Sequence, residues 1–73
     1  MVAFQADGRT PVALTAYDVR GNAIAFRHIT SRPGWNELVW NCTDFRSRRV
    51  ATGIYILRLE VSGRPTTRKV VIF

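Results

Sequence analysis

Turn signals recur so often along this chain that no long helix fits between them. Gly, Pro and small polar residues cluster at Ala6 to Arg9, Asp18 to Asn22, Ser31 to Gly34, Asn41 to Arg48, Thr52–Gly53 and Ser62 to Pro65. The intervening runs are short and rich in Val, Ile, Leu, Tyr, Phe and Trp, which suit a pleated, half-buried surface. None sustains an apolar period of 3.6 over the length of a helix. This rhythm predicts an all-β sandwich or barrel. At 73 residues the chain makes one domain, residues 1–73, with a small core and a thin stability margin.

Alternation predicts which side chains face inward. Val12, Leu14 and Ala16 share one face of a first run, and Ile24, Phe26 and His28 share one face of the next. Leu38 and Trp40 align in a run from Asn36 to Trp40. From Gly53 to Val61, Tyr55, Leu57, Leu59 and Val61 oppose Ile54, Ile56, Arg58 and Glu60, whose charged members mark the outer face. Burial of Leu14, Phe26, Leu38, Trp40, Leu57 and Leu59 is therefore expected to join two antiparallel layers. Asp18 followed by Gly21 fits a type I turn with a left-handed glycine, joining the first two of these runs as a hairpin. Gly53 is expected where the backbone bends or approaches a neighbour. The last run, Thr66 to Phe73, loses its alternation after Lys69, as a strand covered on both faces or an apolar edge would.

Cysteine usage and charge narrow the function classes. Cys42 stands alone, so an intrachain disulfide is impossible and a cysteine-based zinc site nearly so. No apolar run approaches the roughly 20 residues that span a bilayer. The N-terminus has no basic stretch and no apolar core of a leader, which suggests a piece of a longer precursor whose signal lies upstream. The net charge of +6 favours polyanionic neighbours. The arginines are scattered, however, and only Arg46, Arg48 and Arg49 cluster, so a solvated charged surface is the plainer reading. No internal repeat, linker or low-complexity segment is evident.

The order of motifs carries a resemblance. Val12 to Asn22 (VALTAYDVRGN) is similar to a hydrophobic hairpin turning at Tyr-Asp-x-x-Gly, and Leu38 to Asp44 (LVWNCTD) to a Val-x-Trp-Asp-Gly-x-Asp loop. Arg49 to Tyr55 (RVATGIY) is similar to a Val-x-x-Gly-Val-Tyr strand entry, and Arg68 to Ile72 (RKVVI) to the closing strand. Together, from Val2 to Phe73, the chain resembles the immunoglobulin-like domain of the flagellar hook-capping protein and the related C-terminal sorting domains of type IX secretion. It departs in that Asn41 replaces the usual Asp, Cys42 and Ser47 replace the two loop glycines, and an Asn-Pro-rich entry segment is missing. A left-handed position filled by Cys or Ser costs on the order of 1 kcal/mol. The resemblance implies an immunoglobulin-like (fibronectin III-like) antiparallel β-sandwich of about seven short strands. It also implies a non-catalytic C-terminal module of a longer secreted or outer-membrane cell-surface bacterial protein.

Candidate residues point mostly the same way. His28 is the only histidine and lacks a second ligand or base in sequence, and nothing around Cys42 resembles a nucleophile turn, so no catalytic residue is assigned. Asp18, Asn41, Thr43 and Asp44 could offer oxygens to calcium, but the favoured role is capping of loop amides, and no metal or cofactor is assigned. Asp18, Gly21, Asn41, Asp44 and Gly53 are thus turn-forming residues. Trp40 is read as core, and Trp35 as exposed or tucked under a loop, where Arg32 beside it could help form a stacking surface. Arg46, Arg48 and Arg49 are candidates for an anionic surface or an acidic neighbour, with a solvated turn as the plainer reading. Lys69, Val71 and Phe73 lie on a terminal apolar strand that could pair with another chain or be buried in its own sandwich.

The leading expectation is a module recognised by secretion machinery or by domains of its parent protein, acting through the sheet edge, the arginine loop and the chain end. Self-association through the terminal edge strand is also expected to be open to it. The alternative is a structural subunit or cap of an extracellular assembly, such as a hook cap or filament. An arginine-rich nucleic-acid binder ranks last, because neither a groove-sized reading element nor an aromatic platform is visible.

Overall fold

The computed structural model describes the backbone of residues 2–73 and the side chains from Ala3 onward; Met1 lies outside the described residues. Six strands follow one another: β1 (Val2–Ala6), β2 (Pro11–Tyr17), β3 (Ala23–Thr30), β4 (Gly34–Leu38), β5 (Gly53–Val61) and β6 (Arg64–Ile72). Every pairing is antiparallel. A four-stranded sheet runs β3-β2-β5-β6, and a two-stranded sheet pairs β1 with β4. The inner faces of the two sheets form one core, so the protein is an all-β antiparallel sandwich.

The core follows the alternation. Val12, Leu14 and Ala16 of β2 and Tyr55, Leu57 and Leu59 of β5 are buried opposite Phe4 of β1, Leu38 of β4 and Trp40 just beyond it. Full burial of each aliphatic side chain is worth about 1.5–3 kcal/mol. The indole of Trp40 meets Tyr55 edge to face with ring centroids 5.7 Å apart, and its Nε1 donates to the Thr43 carbonyl at 3.0 Å. The Tyr55 hydroxyl donates to the Ala51 carbonyl at 2.6 Å. Both aromatics therefore bury their rings while their polar atoms stay paired. Ser31 is the one fully buried polar side chain among the described residues, at 0% exposure. Its hydroxyl donates to the Gly8 carbonyl and accepts from the Thr10 amide, which ties the loop after β1 to the end of β3.

Four sequence expectations need correction. Phe26 is not core: it is 50% exposed and packs edge to face against His28 on the outer face, with centroids 4.5 Å apart. The register explains this, because cross-strand partners share a face. Leu14 and Ala16 point inward, so their partners Arg27 and Ala25 do too, while Phe26 and His28 lie opposite the outward Thr15 and Ala13. A bulge leaves Ile24 between Ala23 and Ala25 without a partner, turning it toward the core and away from the face of Phe26. Second, the described residues form six strands where the resemblance implies about seven, and residues 41–52 fold as the loop the turn signals predict, holding only a Thr43–Arg49 bridge. Third, β4 starts at Gly34 and ends at Leu38, leaving Trp40 in the strand exit. Fourth, of the two roles expected of Gly53 at the opening of β5, close approach to a neighbour is not seen: a Cβ built there would have nothing within 4 Å.

Candidate functional site

Two aspartate turns lie near the start of β3. At the β2–β3 hairpin, one Asp18 carboxylate oxygen accepts from the amides of Arg20 and Asn22, each at 2.9 Å, and the Gly21 amide donates to the Asp18 carbonyl at 3.0 Å. In the long loop, one Asp44 oxygen accepts from the amides of Arg46 at 2.9 Å and Arg48 at 3.0 Å, and the Ser47 amide donates to the Asp44 carbonyl at 3.0 Å. The fourth residue of each turn is left-handed, Gly21 with φ 85° and Ser47 with φ 60°. Two stretches, Asp18-Val-Arg-Gly-Asn22 and Asp44-Phe-Arg-Ser-Arg48, thus build the same turn, and each exposes its apolar second residue, Val19 or Phe45. This pairing was legible in the Asp-x-Arg spacing, which the sequence reading missed.

These amides also tune the carboxylates. Asp18 is held below the ordinary aspartate value, chiefly by the Asn22 amide, against a desolvation that pushes the other way, and then by the Arg20 amide. Asp44 is lowered in the same manner, by the Arg48 amide first. Asn41 accepts from the Thr43 hydroxyl at 2.6 Å, and the Val50 amide donates to the Cys42 carbonyl at 2.9 Å. Among the described residues, no three or more of His, Cys, Asp and Glu come together as a metal-binding group. Cys42 is half-buried against the core, whereas His28 faces outward, so the fold does not bring them together.

The candidate interaction residues fall on separate surfaces. Arg46, Arg48 and Arg49 ride on the Asp44 turn, where Arg48 Nε lies 3.8 Å from the Asp44 carboxylate. That turn is fastened to β3 by the Phe45 amide, which donates to the Ile24 carbonyl at 2.9 Å. Trp35, 72% exposed on β4, lines a shallow depression with Arg32, Ile29 and Glu37, away from the loop arginines. Lys69 and Val71 stand on the outer face of β6, opposite Ile56 and Ile54, and Phe73 at the chain end is 95% exposed. β6 is an edge strand, exposed on both faces over most of its length.

A fourth surface is absent from the sequence reading. The two-stranded sheet covers only part of the large sheet. On the β3 side the layers are laced together by Arg27, whose guanidinium donates to the Val39 carbonyl at 3.0 Å, and by the Phe45–Ile24 bond. On the β6 side they stand apart, and a groove of about 700 Å³ opens between β1 and the inner face of β5 and β6. Its existence depends on the pairing of β1 with β4, a contact between distant segments that no local pattern announces.

No family model, curated protein or solved structure matches the chain. Among the described residues, no helix is long and apolar enough to cross a membrane.

Proposed function

We propose that this chain is an immunoglobulin-like, non-catalytic module of a secreted or cell-surface bacterial protein, recognised by other polypeptides during export or assembly. One observation carries the reading. Only three non-glycine residues among those described have positive φ, and two of them are Cys42 at 61° and Ser47 at 60°, the positions where the resembling family places its loop glycines. Substituted residues that retain the glycine conformation support a shared loop design. Of the motifs that carry the resemblance, the Tyr17–Asp18 hairpin turn follows β2, Trp40–Asn41 follows β4 and Gly53–Tyr55 opens β5. The exposed edge strand, the arginine turn and the chain end are the surfaces such recognition would use.

Appending the chain to a cargo protein in a bacterium with type IX secretion tests the sorting role. Deletion of Arg68–Phe73 is expected to abolish export, and unchanged export would refute it. A cap or filament role is the second reading, favoured by the exposed apolar pair Ile54 and Val71 on the outer face of β5 and β6. Sedimentation of the isolated domain as a strict monomer at high concentration would count against that role.

A further inference from the structure

We infer that the groove beside β1 is an acceptor site for an acidic, extended segment of another polypeptide, which adds as a third strand to the β1–β4 sheet. This rests on the reading of the chain as a protein-recognition module and names the surface and chemistry of the partner.

The first observation is the open edge. β1 pairs with β4 on one side only, so alternate backbone N–H and C=O groups along Val2–Ala6 point away from β4 with no strand to receive them. The second is the floor. Phe4, Leu57 and Leu59 form the bottom of the groove but are already buried in the core, so an added strand would be held there by backbone bonds and charge rather than by new apolar burial. The third is charge. By register, Arg64 and Arg68 share the inner face of β6 with Leu57 and Leu59, and with Arg9 from the loop after β1 they line the groove. No carboxylate pairs with these three guanidinium groups among the described residues, and Asp7 is the only acidic residue in the lining. An inner sheet face carrying two arginines is poorly suited to cover by an apolar layer, but it suits a strand bearing carboxylates. The opposite rim makes the contrast: there the inward Arg27 is spent on Val39 and the layers are closed.

The occupant is therefore a segment of about five residues, matching β1, whose inward-facing positions carry the carboxylates that reach Arg64 and Arg68, since those arginines share the inner sheet face with Leu57 and Leu59. Backbone bonds to β1 would supply affinity, and the arginines would select acidic over basic strands.

The test uses the isolated 73-residue chain and three synthetic peptides of alternating valine with glutamate, serine or lysine. Amide NMR should show the glutamate peptide shifting β1 resonances and slowing exchange of outward β1 amides, with affinity falling as salt rises. R64Q and R68Q should each weaken it by about tenfold at unchanged melting temperature, and the lysine peptide should not bind. The inference is overturned if the three peptides bind alike or none binds. It is equally overturned if the shifts map to the outer edge of β6 or the Asp44 turn, or if the chain's own dimerisation occupies β1. Cargo export is a separate readout. Export lost on deleting Arg68–Phe73 while the intact chain binds no peptide sinks the groove alone, and peptide binding by the intact chain with export indifferent to that deletion sinks the sorting role alone.

Discussion

Ser47 and Asp44 show how single residues define the long loop. Ser47 holds a left-handed backbone at φ 60°, where an L side chain crowds its own carbonyl. Ser47→Gly is expected to stabilise the domain by about 0.5–1 kcal/mol, raising the melting temperature by about 3–6 °C, because relief of strain outweighs the added chain entropy. Ser47→Val should lower it, and a thermal scan of both variants checks the sign. Acid acts on the same turns. Asp18 and Asp44 have folded values below the ordinary 3.8, so their contribution is fully present above that value and is lost as pH falls through the depressed folded values. The urea midpoint should therefore stay level from neutrality to about pH 5 and fall below about pH 4. In the D18N/D44N double variant that acid fall should be shallower. The capping role of both aspartates was legible in the sequence, because an aspartate with a left-handed residue three positions on has few other conformations to hold.

At the scale of elements, legibility tracked charge. β5 was readable to the residue because Arg58 and Glu60, an ion pair at 3.0 Å, mark its outer face unambiguously. β3 was not, because its one charged residue, Arg27, lies on the inner face and the bulge opposite Tyr17 shifts the parity of the strand. The outward turn of Phe26 has a measurable consequence. Leu14→Ala removes a buried side chain from the sheet centre and should cost about 2–5 kcal/mol, whereas Phe26→Ala should cost about 1 kcal/mol or less. Urea denaturation of the two variants separates them, and equal losses would place Phe26 back in the core. The loop between β4 and β5 was legible as a turn cluster from Asn41 to Arg48, because its bonds are local and turn-like.

In the whole molecule, the large sheet combines two local hairpins, β2–β3 and β5–β6, joined along β2 and β5, while the small sheet depends on β1 meeting β4 from far along the chain. The sandwich class was legible because β2 to β6 each announced themselves, although β1 did not. Which edge of the sandwich stays open was not, because that follows from how many strands each layer receives. Native-state amide exchange should resolve the layers, with β2 and β5 protected to the global limit and β1 and β4 exchanging earlier. Uniform protection across all six strands would refute this order.

The one-sided lacing of the layers also sets a mechanical direction. A force pulling on Val2 loads the β1–β4 bonds one at a time from the end, with no second seam on the β6 side to share the strain, so the N-terminal strand should unzip at low force. The four-stranded body would stay whole, and a domain tethered through its first strand would yield there before it yields anywhere else.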